Sequence, residues 1–289
     1  MNWFNVEITC SKDDVVLIEE IMIANGAVSI SISNKGGESI YEPSIGETPL
    51  WEKSSVKALF AKKKSKKYIC SILSSINYYE LSISNLKDKN WIEEFQNKLK
   101  PKKFGDSLWV FPSWYDLEKY NDETIIKMDP GMAFGSGSHE TTHLCLDYLE
   151  SINLKSLSMI DYGCGSGILG IAALLLKAKN VIAVDLDPQA IISTKKNSIL
   201  NQVEKNIEVF TPNELKNQKV DVIIANILAL PLINLRDKFI KLLKPNGILI
   251  ISGIMEKQLN KVKVHYEEFF SLQDIKVMND WCLISFKRL

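Results

Sequence analysis

The chain has 289 residues, with 35 Lys and Arg balanced by 35 Asp and Glu, so no whole-molecule field draws it onto nucleic acid or an anionic membrane. Its length exceeds that of a usual single domain and its apolar content is ordinary, so one or two globular domains with a sizeable core are expected. The five cysteines (Cys10, Cys70, Cys145, Cys164, Cys282) are scattered, odd in number and without a C-x-x-C pair. That argues against a disulfide framework or a zinc ribbon, suggests no metal site, and suits a reducing cytoplasm. The N-terminal residues lack a basic stretch before an apolar one, and no segment supplies the ~18 uncharged apolar residues of a membrane span. A cytoplasmic, non-exported protein is the expectation.

Trp3–Thr9 alternates as a strand, and Lys12–Asn25 carries Val15, Val16, Ile18, Ile21 and Met22 at helical spacing before stopping at Gly26. Val28–Ser33 alternates again. After a loop with Gly36, Gly37, Pro43, Gly46 and Pro49, Ser54–Ile76 reads as a helical segment and Tyr78–Ile83 as a strand. This order suggests a βαββαβ, ferredoxin-like α+β domain over residues 1–88. Within it, the run Lys62-Lys63-Lys64-Ser65-Lys66-Lys67 is either a solvated helix face or a local phosphate-contacting patch. Trp91–Leu99 reads as a short amphipathic helix closed by Pro101, where the character of the sequence changes, and predicts a linker over 89–101.

From residue 102 a second domain is expected. Leu108–Phe111 and Thr124–Lys127 read as short strands leading into the loop from Asp129 to His139, with a helix starting near Thr141. Apolar strands and amphipathic helices then alternate: Met159–Asp161, Ile168–Lys177, Val181–Asp185, Pro188–Asn201, Ile207–Phe210, Val220–Ala225, Leu232–Leu243, Ile248–Ser252, Met255–Phe270. The pattern implies a doubly wound α/β fold, a parallel sheet covered on both faces. Leu272–Met278 and Trp281–Lys287 are separated only by Asn279-Asp280, too little chain for a parallel crossover, so they pair as an antiparallel hairpin. A sheet ending this way is characteristic of Rossmann-like class I methyltransferases and unusual for dinucleotide dehydrogenases.

The chemistry centres on Asp161-Tyr162-Gly163-Cys164-Gly165-Ser166-Gly167, between the first strand of that sheet and its first helix. Glycines there allow a sharp turn and close approach of a ligand to the backbone. Gly165-Ser-Gly167-Ile-Leu-Gly170 also satisfies G-x-G-x-x-G, which keeps a nicotinamide or flavin in play. Against that stands Asp161, an acid at the strand tip where a dinucleotide places its pyrophosphate. S-adenosylmethionine carries an ammonium and a sulfonium and no phosphate, so the acid favours it. Asp185 closes the second strand, where a carboxylate accepts ribose hydroxyls; the alternative role, capping the next helix, suits Asp187 before Pro188 better. Asn226 leaves the fourth strand at the carboxyl edge, where it either orients an acceptor or the methionine part, or serves as a strand-exit turn residue. The loop from Gly131 to Thr142 reads equally as a lid over a cofactor or as a loop with a capping threonine. His139 is a candidate general base or a hydrogen-bonding surface residue.

Five segments together carry a resemblance: Asp129-Pro-Gly-Met-Ala-Phe-Gly-Ser-Gly-Ser-His-Glu-Thr-Thr142, Asp161-Tyr-Gly-Cys-Gly-Ser-Gly-Ile-Leu169, Asp185-Leu-Asp-Pro-Gln-Ala190, Asn226-Ile-Leu-Ala229 with Pro231-Leu232, and Ser252-Gly-Ile254. The sequence resembles the ribosomal protein L11 methyltransferase family, bacterial enzymes that modify protein eleven of the large ribosomal subunit. The resemblance implies S-adenosyl-L-methionine as cofactor, contacted by Thr142, Gly163, Asp185 and Asn226, with Asp161, Gly165 and Gly167 in support. It also implies N-methylation of lysine side chains and of the N-terminal amine of that protein, free or on the ribosome, by a monomer whose N-terminal domain recognises the substrate through a movable linker. The family usually has threonines where Ser136 and Ser138 stand and a proline where Glu140 stands. Other classes fit less well. An RNA base methyltransferase usually offers a stacking aromatic after the fourth strand, where this chain has Ile227, Leu228 and Ala229. A nicotinamide oxidoreductase is opposed by Asp161 and the terminal hairpin, and a non-catalytic ribosome-binding module by the intact glycines and Asp185.

Overall fold

The structure is a computed structural model that describes residues 3–36, 49–61, 65–74, 76–86, 100–115, 123–128, 137 and 139–289. Most of the expected linker, Lys62–Lys64 and all but Gly137 and His139 of the loop from Asp129 to His139 lie outside those residues. The chain divides into two compact units, Met1–Phe95 and Gln96–Leu289.

The first unit contains β1 (Trp3–Ser11), α1 (Val15–Ala24), β2 (Ser29–Gly36), β3 (Lys53–Ala61), α2 (Lys66–Leu73) and β4 (Glu80–Leu86). Its sheet has the order β2-β3-β1-β4, antiparallel throughout, which is the ferredoxin-like arrangement. Alternate residues Phe4, Val6, Ile8 of β1 and Val56, Ala58, Phe60 of β3 share one core with Ile18, Met22, Ile69 and Leu73 from the helices. The expected helix over Ser54–Ile76 is corrected. Its first half is β3, paired on both sides, with Val56, Ala58 and Phe60 buried at a period of two and Lys53 and Lys57 exposed. Among the described residues of that stretch only Lys66–Leu73 is helical, capped by Ser65, whose Oγ accepts the Tyr68 N–H at 3.4 Å. Two flanking strands override the helix-compatible composition of Lys-Ala-Leu-Phe-Ala.

The second unit opens with a three-stranded sheet, β5 (Lys102–Phe104), β6 (Leu108–Pro112) and β7 (Thr124–Met128). Then follow α3 (Glu140–Ser151), β8 (Ser158–Tyr162), α4 (Ile168–Leu175), β9 (Asn180–Val184), α5 (Pro188–Leu200), β10 (Ile207–Phe210), β11 (Val220–Asn226), α6 (Ala229–Leu242), β12 (Leu243–Met255), α7 (Leu259–Tyr266), β13 (Phe270–Met278) and β14 (Trp281–Arg288). The seven-stranded sheet has the order β10-β9-β8-β11-β12-β14-β13. It is parallel except for β14, which is antiparallel to both neighbours. The terminal hairpin is therefore present, with its last strand inserted between β12 and β13. The helix expected from Met255 is shorter, because β12 continues through Met255 to pair with Trp281.

Alternate residues along each strand feed two cores. Met159, Val181, Val222 and Ile250 meet α3, α4 and the small sheet on one face. Ile160, Ile182, Ile223 and Ile251 meet α6 and α7 on the other. Sequential strands run outward from β8 in one direction and from β11 in the other, so the crevice between these two, at the carboxyl ends, is the topological switch point of the sheet. No helix of the described residues is long and apolar enough to cross a membrane.

At the opposite, amino edge, Asp221 ties three strands together. Its Oδ2 accepts the Ser158 N–H at 2.9 Å and the Ser158 hydroxyl at 2.6 Å, and its Oδ1 accepts Lys244 Nζ at 2.8 Å. Burial alone raises this carboxyl, but the hydrogen bonds from Lys244 and Ser158 outweigh it and hold it at about 2. A carboxyl lowered in the folded state stabilises the fold above its unfolded value and loses that contribution as pH falls through the folded one. Asp221→Asn is expected to cost about 2 kcal/mol at neutral pH, measured by urea unfolding, with the gap to the unmodified protein closing as pH falls from about 4 to about 2.

Candidate active site

The chain leaving β8 turns at once under hydrogen bonds to β9. Gly163 N–H and Cys164 N–H both donate to the Val184 carbonyl, at 2.7 and 3.0 Å, and Gly167 N–H donates to the Cys164 carbonyl at 2.7 Å. Gly163, Gly165 and Gly167 hold φ of 80, 54 and 82°, a region that L side chains enter at a cost. At Gly163 space is also decisive, since a Cβ there would lie 2.2 Å from Ile227 Cγ2. From α5, Thr194 Oγ1 donates to the Gly165 carbonyl at 3.1 Å and Asn197 Nδ2 to the Ser166 carbonyl at 2.9 Å. Sequence reading did not single out Thr194 or Asn197. The available signal was polar residues on the buried stripe Ala190, Thr194, Asn197, Ser198 of that helix.

Asp161 lies deeper than its position at the strand tip suggested. It is fully buried, facing α4, where its Oδ2 accepts the Gly170 N–H at 2.9 Å. Its Oδ1 is buried without a hydrogen-bond partner. Burial raises the carboxyl to about 7, opposed by the Gly170 hydrogen bond and reinforced by the charge of Asp185.

Asp185 follows β9 and bridges two backbone segments, its Oδ2 accepting Gly165 N–H at 2.8 Å and its Oδ1 accepting Asp187 N–H at 2.9 Å. Capping of α5 belongs to Asp187, which accepts the Gln189 N–H at 2.8 Å ahead of Pro188. Asn226 ends β11 opposite Ser252 of β12. The next residue, Ile227, donates its N–H to the Ser252 carbonyl at 3.1 Å. Beside it Gly253, at φ 86°, passes so close that a Cβ would lie 2.2 Å from the Ile227 carbonyl oxygen. The β12–β14 register shifts at this point. In the sequence Gly253 belongs to the Ser252-Gly-Ile254 motif, and a glycine inside a strand is itself the signal for a bulge or a close backbone approach.

At the start of α3 the cap is His139, not a threonine. Its Nδ1 accepts the Thr141 N–H at 3.3 Å and meets Thr141 Oγ1 at 2.8 Å. Its ring lies edge-on to Trp281 at 4.9 Å. Thr142 is buried, and its hydroxyl has no hydrogen-bond partner.

The family model described as ribosomal protein L11 methyltransferase (PrmA) matches residues 2–289. A protein of that name from Acinetobacter baumannii (strain AYE) is 39% identical over 298 residues, covering 100% of this chain and 99% of the relative. Another from Aliivibrio salmonicida (strain LFI1238) is 37% identical over 291 residues, covering 99% of each. The crystal structure of a ribosomal protein L11 methylase from Lactobacillus delbrueckii subsp. bulgaricus aligns at a TM-score of 0.62 and 32% identity, over 66% of this chain and 99% of that one.

Three substitutions test this geometry. In the Ile227→Ala background, Gly163→Ala is expected to cost about 1–2 kcal/mol, the left-handed penalty alone. With Ile227 intact it costs more than about 2 kcal/mol, because the contact is added; thermal unfolding of the four proteins reads both. For Asp161 the sign is the reverse of that for Asp221. A carboxyl raised in the folded state penalises the fold once ionised, so stability falls as pH rises from its unfolded value towards 7 and is flat beyond. The stability of Asp161→Asn relative to the unmodified protein is therefore expected to rise with pH from about 4 to about 7 and then level. A difference that stays constant across that range contradicts the assignment.

Proposed function

The chain belongs to the ribosomal protein L11 methyltransferase family, and from that premise we propose that it transfers methyl groups from S-adenosylmethionine to lysine side-chain amines and the N-terminal amine of ribosomal protein L11. The observation that carries the cofactor reading is a positive-φ glycine turn combined with two carboxylates, Asp161 beneath it and Asp185 bonded to it. A pyrophosphate meets the Asp185 carboxylate there and disfavours ionisation of the buried Asp161, whereas a phosphate-free, cationic cofactor meets an opposite charge at Asp185 and favours the ionised form of Asp161. In this reading Gly163 gives close backbone approach, and Gly165 and Gly167 maintain the turn. Asp185 accepts ribose hydroxyls with the lone pairs its two backbone donors leave unused. Asn226 orients the acceptor or the methionine part, and the unpartnered Thr142 hydroxyl offers a further polar contact.

When bound, S-adenosylmethionine supplies a methyl group activated on a sulfonium. The residues around it have to desolvate and align an amine. A lysine is neutral at pH 7 only at a cost of about 4–5 kcal/mol, and an environment that excludes water lowers that cost by disfavouring the ammonium. Leu228 and Leu230, exposed apolar side chains just beyond Asn226, suit that task. His139 already spends Nδ1 on capping α3, which supports a mechanism without a dedicated base, alignment providing the rate and water taking the proton. We assign substrate recognition to residues 1–88, a linker to 89–101 and methyl transfer to 102–289, in a cytoplasmic monomer that acts on free or ribosome-bound substrate.

The test incubates the protein with radiolabelled S-adenosylmethionine and ribosomal proteins from a strain lacking this enzyme, then digests parallel samples with protease or ribonuclease. Label confined to one small protease-sensitive ribosomal protein is the expected result; label lost with ribonuclease reassigns the acceptor to RNA. His139→Ala is expected to lose about 1 kcal/mol of stability as a lost cap and only modest turnover. A large fall in kcat at unchanged cofactor affinity contradicts the base-free mechanism.

A further inference from the structure

We propose that Asn279 and Trp281, at the turn of the terminal hairpin, are positioning residues that fix the first turn of α3 and thereby hold Thr142 at the carboxyl edge of the sheet. The reason begins with topology. Because β14 is antiparallel, it enters the sheet at the edge where the parallel strands end. Trp281 sits opposite Met255, the last residue of β12, and the Asp280 carbonyl accepts the Glu256 N–H at 2.8 Å, which pins the turn to the exit of β12.

From this turn two contacts reach α3. Asn279 Nδ2 donates to Glu140 Oε1 at 3.2 Å, and the Trp281 ring meets the His139 ring at 4.9 Å and 70°. Glu140 and His139 are the first residue of α3 and its cap. Histidine is not among the residues that cap helices best, and its ring has to be held with Nδ1 towards the Thr141 N–H. An indole edge-on against that ring restricts it. His139 in turn carries the whole first turn, since the N–H groups of Thr142 and His143 both donate to its carbonyl at 3.1 Å. What the turn delivers is Thr142, 1% exposed with an unpartnered hydroxyl. Such a group is costly in a fold unless a ligand atom completes it. Asn279 itself has φ 52°, a conformation asparagine tolerates, so one residue both makes the turn and reaches Glu140.

This inference rests on the reading that Thr142 contacts S-adenosylmethionine, and its test separates the two. Asn279→Gly keeps the left-handed turn and removes the amide; Trp281→Leu removes the ring edge; Trp281→Phe retains an aromatic against His139. For each full-length protein, S-adenosylmethionine affinity is measured by calorimetry, KM and kcat against ribosomal protein L11, and hydrogen exchange at Thr142 and His143 without cofactor. Expected are faster exchange at those amides and cofactor affinity about tenfold weaker in Trp281→Leu, a smaller change in the same direction in Asn279→Gly, an unchanged KM for the protein substrate, and recovery in Trp281→Phe. Folded variants with unchanged exchange, or with faster exchange and unchanged cofactor affinity, overturn the positioning role. An unmodified protein that fails to bind S-adenosylmethionine overturns the cofactor reading itself, and the positioning role with it.

Discussion

Ile227 is the residue on which the carboxyl edge of the large sheet depends. Its side chain lies against Gly163 and its carbonyl against Gly253, and at either glycine a single added carbon would come within 2.2 Å. The exit of β11 is thus held between two stretches of bare backbone, one from the turn after β8 and one from a bulge in β12. That arrangement decides where Asn226 ends its strand and why the glycine turn follows the path it does. The same turn is braced by Gly163 and Cys164 to Val184, Asp185 to Gly165, Thr194 to Gly165 and Asn197 to Ser166.

Two aspartates of this sheet show what an edge does to a carboxyl. Asp221, at the amino edge, accepts from three donors and is held at about 2. Asp161, near the carboxyl edge, accepts from one, leaves an oxygen without a partner and is raised to about 7. Both carboxyls are pushed up by burial; at the part-buried Asp221 the Lys244 ammonium and the Ser158 donors reverse the shift, whereas at the fully buried Asp161 burial and the Asp185 charge prevail over the single Gly170 donor. The well-satisfied aspartate serves stability, and the poorly satisfied one lies beneath the glycine turn, where perturbed groups tend to accompany function. The partnerless hydroxyl of Thr142 adds a second unsatisfied group to the same unit.

Much of the fold was legible because periodicity reports burial. The alternation of apolar strands with amphipathic helices from Met159 onward predicted the doubly wound sheet, and the two-residue spacing between Met278 and Trp281 predicted the hairpin. Periodicity failed where partners decided the outcome. Ser54–Ala61 contains residues that suit a helix, and it is a strand because β1 and β2 pair with it from both sides. In the same way Met255 suits the start of a helix by local pattern, and it is strand because β14 pairs with β12 as far as that residue.

For the candidate site, the glycine spacing, the acids Asp161 and Asp185, the cap at Asp187 and the polar exit at Asn226 were legible in the residues alone, since each depends on residue type within a few positions of a strand end. That Asp161 is buried against α4 and that Gly253 makes room for Ile227 follow from the packing of distant segments. The same holds for Thr194 and Asn197 bracing a turn 29 and 31 residues away in the chain and for His139 capping α3 against Trp281. The physical reason is common to all of these: a local pattern encodes which backbone conformations a residue favours, whereas burial, close approach and hydrogen-bond satisfaction depend on atoms that the chain brings together from far apart.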